Sequence, residues 1–144
     1  MKKGFLKLAV VVCGFLISNT TSAQIADTVA NSCARHLQNQ FISDGQQYRA
    51  LLMNADETAE FHTTLYGGTL YRIAACSGLS DGNLVFSVYD TQHNLLFTNS
   101  EFKNAPYWDF KIVNTLDCII EAKLDGAAQG SGRAVILIGF KQQK

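Results

Sequence analysis

The chain has a single proline and a single tryptophan in 144 residues. Proline-rich linkers and low-complexity tethers are therefore excluded, and no internal repeat is present. Charge is sparse, at 17% of residues, and balanced at 12 Lys+Arg against 12 Asp+Glu. A protein that grips nucleic acid electrostatically needs a basic excess on one face, and none is available. The four cysteines lie far from one another, and only His36, three residues after Cys33, is near any of them. A zinc site needs close ligand spacing, so no metal and no cofactor is expected. Beyond residue 17 no apolar run approaches the roughly 20 residues of a membrane span. The length excludes a large α/β enzyme and suits one globular domain.

What is present begins with an N-terminal leader. Lys2 and Lys3 form a positive start. Phe5 to Ile17 is apolar apart from Lys7 and Gly14, and Thr21-Ser22-Ala23 places small residues before Gln24. This is the pattern of a cleaved signal peptide over residues 1–23. The apolar part is too short for an anchor. Val12 stands before Cys13, where a lipidation signal needs a small residue. Cleavage leaves 121 residues with 9 basic and 12 acidic side chains, because Lys2, Lys3 and Lys7 depart. The expected product is mildly acidic and exported, periplasmic or secreted, without a membrane span.

Export to an oxidising compartment gives the cysteines a meaning. Cys33, Cys76 and Cys118 remain, an odd number, so any single bridge leaves one thiol. Cys118 alternates with Leu116, Ile120, Ala122 and Leu124 and is expected to point into the core. Cys76 has the opposite parity to Tyr71, Ile73 and Ala75. Cys33 lies on the apolar side of an N-terminal helix. A Cys33–Cys76 bridge is preferred, with Cys118 the alternative partner of Cys33. Three reduced, buried thiols are the remaining option.

Residues Ile25 to Phe41 show helical spacing: Ile25, Val29, Cys33 and Leu37 recur at i, i+4. Ser43-Asp44-Gly45 is expected to stop that helix. Residues 24–45 are thus read as helix and turn, and 46–144 as a β domain. Strands are expected near 47–53, 59–66, 69–76, 84–90, 94–98, 107–112, 115–124 and 133–141. Gly67-Gly68 reads as a two-residue hairpin turn. Eight short strands at this spacing predict a mainly β protein, an antiparallel sandwich or jelly roll, with the α-helix packed on it. Ala134 to Phe140 is apolar on both faces, so this strand is expected to be central, with the helix covering its second face.

Few motifs suggest chemistry. Gly78-Leu79-Ser80-Asp81-Gly82 matches a nucleophile elbow, which works only on a strand–turn–helix. The residues after it, Leu84, Phe86 and Val88, alternate as a strand, so a turn is expected instead. His36, His62 and His93 are scattered. Glu57, Glu60, Glu101 and Glu121 are the carboxylates that could hydrolyse a glycan if two faced one another across a cleft. Asp81, Asn83, Asp90 and Asn94 are oxygen ligands of the type calcium favours, without a calcium loop. In Tyr107-Trp108-Asp109-Phe110, Trp108 and Phe110 share the core face. Tyr107 takes the other face and is the candidate ligand contact.

The run Tyr71-Arg72-Ile73, then Phe86-Ser87-Val88-Tyr89-Asp90, a polar turn and Leu95-Leu96-Phe97 resembles bacterial pre-peptidase C-terminal domains. The resemblance spans roughly residues 58–141. It implies a small extracellular jelly-roll sandwich, as in small secreted bacterial proteins that carry such a domain alone. It implies no catalytic residues.

The leading expectation is an exported non-enzymatic module that binds a protein or glycan partner or serves the cell envelope. A small extracytoplasmic hydrolase acting on glycan or peptide is one alternative. The other is an assembly protein that pairs through a sheet edge or a free cysteine. Mass spectrometry of exported protein should find Gln24, cyclised or not, at the N-terminus. A retained leader would contradict the export argument.

Overall fold

The computed structural model describes residues 21–38 and 40–142. The expected leader lies outside the described residues apart from its last three. Helix α1 spans Thr21–Ala34. Eight strands follow: β1 (Ile42–Leu52), β2 (Thr58–Leu65), β3 (Thr69–Cys76), β4 (Leu84–Asp90), β5 (Leu95–Thr98), β6 (Tyr107–Ile112), β7 (Leu116–Leu124) and β8 (Gly132–Gln142). They form two antiparallel four-stranded sheets. Sheet A has the order β1-β8-β3-β6, and sheet B has the order β2-β7-β4-β5.

The pairings β1–β8, β2–β7, β3–β6 and β4–β5 are those of one long hairpin folded over on itself. Wrapping that ribbon adds β3–β8 and β4–β7 and closes a jelly-roll sandwich. Only β4 and β5 are both adjacent in sequence and hydrogen-bonded. Their turn is built by Asp90, whose carboxylate accepts from the backbone of Gln92 and Asn94 at 2.9 and 2.8 Å. A bond from the Asn94 side chain, together with these backbone bonds, holds the Asp90 carboxyl below its usual pKa.

Period-two alternation builds the main core. Tyr71, Ile73 and Ala75 from β3, and Ala134, Ile136 and Ile138 from β8, face inward from sheet A. Leu84, Phe86 and Val88 from β4, and Cys118, Ile120, Ala122 and Leu124 from β7, meet them from sheet B. A second core lies on the outer side of sheet A. There Val29, Ala30, Cys33 and Leu37 cover Ala74, Cys76, Val135 and Leu137. β8 is thus a central strand buried on both faces.

Three local expectations need correction. Gly67-Gly68 is not a hairpin turn, because β2 and β3 belong to different sheets. The segment is a corner pressed against its neighbour: a Cβ on Gly67 would lie 2.6 Å from the Val113 carbonyl oxygen. Glycine serves close approach here, with Gly68 at positive φ. The helix also ends earlier than Phe41. Its last turn is followed by bonds from His36 N–H to Cys33 and from Leu37 N–H to Ala34, and Gln38 takes a left-handed φ of 54°. Leu37 and Phe41 still bury their side chains. The apolar spacing therefore persists while the backbone turns off the helix. They land on Gly139, where a Cβ would meet Phe41 at 2.9 Å and Leu37 at 3.1 Å. Finally, Ser43-Asp44-Gly45 lies inside β1, at a bulge between Ser43 and Gln47. The β domain begins at Ile42 rather than at residue 46.

Cys33 and Cys76 form a disulfide with 5.7 Å between Cα atoms. It ties α1 to the end of β3 across a sequence separation of 43. Chain-entropy reasoning assigns a loop of this size about 4 kcal/mol.

Candidate functional site

The helix-covered side of sheet A is sealed. The Arg72 guanidinium bonds Asp109 through two nitrogens, at 2.6 and 2.8 Å, and the His36 carbonyl at 3.0 Å. It lies 4.5 Å from the ring centroid of Phe41 and 4.3 Å from that of Tyr107. Paired with a carboxylate and stacked on rings, a guanidinium can be part-buried at low cost. The bond to Asp109 raises its already high pKa further. Tyr107, expected as an open contact, is half-buried here. Its ring also lies 5.5 Å from that of His36 and packs on the helix-side core. Residue parity alone did not reveal that Arg72 and α1 occupy this face.

One end of the sandwich gathers four loops, 53–57, 77–83, 99–106 and 125–131. Asn104 donates to the Gly82 carbonyl at 3.2 Å and to the Asp125 carboxylate at 2.9 Å. Gln129 reaches Ser77 at 3.2 Å, and Asn99, fully buried, bonds Phe86, Leu84 and Ala105. An open groove of about 480 Å³ lies among Asp56, Ser100, Asn104, Lys123 and Asp125. Ser80 is exposed on the 77–83 loop, which enters β4 rather than a helix. Asp81, beside it, pairs with His36 at 2.8 Å. The nucleophile-elbow geometry is therefore not formed.

The open edge between β5 and β6 is closed by aromatics. Phe97 lies 5.2 Å from Trp108, 5.0 Å from Phe110 and 5.7 Å from Phe102, and Phe102 lies 4.3 Å from Trp108. Trp108 and Phe110 pack against the main core.

Among the described residues no helix lies over the outer face of sheet B. Register places side chains in rows across it. Thr58, Lys123 and Val85 form one row; Glu60, Glu121 and Ser87 the next; His62, Ile119 and Tyr89 a third. Glu60 and Glu121 are direct cross-strand neighbours, so two like charges oppose one another. His62 bonds Glu60 at 2.7 Å from one side, and His93 lies 3.2 Å from Glu121 on the other. His93 stacks on Tyr89 at 4.5 Å. A notch of about 90 Å³ opens among Ser87, Tyr89, Glu121 and Lys123. It adjoins the loop-end groove through Val85 and Lys123. The individual glutamates and histidines were visible in the sequence. Their pairing was not, because Glu60 and Glu121 meet only through the β2–β7 register.

The remaining carboxylates are dispersed. Glu57 accepts from the Met53 backbone at 2.8 Å and closes the 53–57 turn, and Glu101 lies in the 3₁₀ turn Asn99–Phe102. Asp81 and Asn83 lie at the start of β4, and Asp90 and Asn94 at its end, where Asp90 holds the turn. Among the described residues no group of three His, Cys, Asp or Glu side chains is arranged to hold a metal, and no helix is long and apolar enough to cross a membrane.

No family model and no curated protein matches the chain. Among solved structures it is similar to PliG of Aeromonas hydrophila, a periplasmic inhibitor of g-type lysozyme. The TM-score is 0.50 with 10% sequence identity, over 67% of this chain and 85% of that one. At that identity the likeness is one of fold.

Cys118 is buried at 2% exposure, and burial raises its thiol pKa to about 11. Intermolecular pairing through this cysteine would require opening the core, which removes the free-thiol route to assembly. The thiol should therefore resist alkylation by iodoacetamide in native protein up to about pH 10, and react once the protein is unfolded. Prompt native labelling would place Cys118 at the surface.

Proposed function

We propose that the chain is an exported, non-enzymatic protein-binding module whose partner is a secreted enzyme of the lysozyme kind. The observation that carries this reading is the fold shared with PliG, which itself inhibits a g-type lysozyme. The Cys33–Cys76 disulfide supports an oxidising compartment outside the cytoplasm. The chemistry of the surface supports binding over catalysis. Glu60 and Glu121 are neighbours on an open sheet face, each engaged by a histidine, whereas glycoside hydrolysis uses two carboxylates that flank a bound sugar from opposite sides. The resemblance to pre-peptidase C-terminal domains, which implies no catalytic residues, supports the same non-enzymatic reading.

Residues 24–144 should bind an immobilised g-type lysozyme saturably and suppress its lysis of peptidoglycan as the stoichiometry approaches one to one. The chain alone should leave peptidoglycan intact. A Kd weaker than about a millimolar, which amounts to only some 4 kcal/mol, would overturn the lysozyme reading. Lysis by the chain alone would favour the hydrolase.

A further inference from the structure

We propose that the outer face of sheet B is the docking surface for a basic protein, with a lysine or arginine of that partner seated between Glu60 and Glu121. The inference deepens the protein-binding reading above and rests on it.

Charge is unevenly divided between the two outer sheet faces. Alternation puts Arg49, Arg72, Lys111, Arg133 and Lys141 on the outer side of sheet A against the acid Asp109, which is paired with Arg72, because their neighbours Tyr48, Ile73, Trp108, Phe110, Ala134 and Phe140 face the core. The same reasoning puts Glu60, Asp117 and Glu121 on the outer side of sheet B, with Lys123 one row away. The acidic side is thus also the side that no helix covers among the described residues. An acidic face directs and orients a basic partner on approach.

Like charges directly opposite on neighbouring strands are destabilising. Glu60 and Glu121 nevertheless occupy one cross-strand pair. His62 engages Glu60 from β2, and His93, stacked on Tyr89, engages Glu121 from the β4 side; the proposed cation sits between the two carboxylates. A basic side chain needs more than its charge accommodated, since its aliphatic stem seeks apolar surface. Half-buried Ile119 and Tyr89 lie in the next row, and Tyr89 lines the notch beside Glu121 together with Lys123. Carboxylates on a floor with aliphatic and aromatic surface suit lysine and arginine better than a neutral sugar.

The test is an NMR titration of residues 24–144 with the blocked tripeptide Lys-Leu-Arg, in parallel with its counterpart Glu-Leu-Glu and with chitotetraose. The basic peptide should shift the amides of Ser87, Tyr89, Ile119 and Glu121, and the acidic one should not. Glu60→Gln combined with Glu121→Gln should weaken binding about fivefold or more, the scale of two exposed ion pairs. Lys123→Glu leaves both glutamates in place and should strengthen it. Shifts confined to the loop end or to sheet A, equal affinity in the double variant, or a response to chitotetraose alone would each overturn the proposal. The same variants are measured against g-type lysozyme. Undiminished lysozyme binding by the double variant overturns this docking face and leaves the protein-binding reading standing. No lysozyme binding by wild type, with the peptide shifts as expected, overturns the lysozyme reading and leaves the face.

Discussion

The structure depends on covering the second face of β8. Val135 and Leu137 point away from the sandwich interior, as do Ala74 and Cys76 on β3 beside them. Left bare, that surface would be an apolar strip along the middle of sheet A. Burying a side chain the size of valine or leucine contributes about 1.5–3 kcal/mol. Helix α1 does this with Val29, Ala30, Cys33 and Leu37. A helix of 14 residues is marginal alone in water, so its apolar face and its fastening to the sheet supply the stability. The fastening has two parts: the Cys33–Cys76 bridge, and Arg72 held among Asp109, the His36 carbonyl, Phe41 and Tyr107.

This arrangement makes the molecule two-sided. Sheet A spends its outer face on the helix and on a guanidinium clamp that takes up Tyr107. Sheet B keeps its outer face for solvent or a partner, with paired glutamates, two histidines and part-buried Tyr89 and Ile119. The jelly-roll order then brings four loops to one end, where Asn104 ties its loop to 77–83 and 125–131 and Asn99 ties it to β4. The proposed docking face rests on this division of labour.

Much of the fold was legible because it rests on local alternation. β3, β4 and β6 run over the residues expected from period-two patterning, and the opposite parities of Cys76 and Cys118 place one sulfur under the helix, bonded to Cys33, and the other in the main core. What failed was long-range. Gly67-Gly68 looks like a hairpin turn from its dipeptide alone, and only the pairing of β2 with β7 and of β3 with β8 shows it to be a corner. The spacing of Leu37 and Phe41 reads as helix because both are buried, yet a left-handed Gln38 intervenes. Glu60 and Glu121 lie 61 positions apart in the chain, so nothing local announces that they meet.

Hydrogen–deuterium exchange of wild type against the Cys33→Ser/Cys76→Ser variant tests the covering role of α1 most directly. Loss of the bridge should raise exchange in residues 28–34 and then at Val135 to Leu137, while β4 and β7 keep their protection. Unchanged protection of the helix and β8, or a uniform loss across both sheets, would contradict the account.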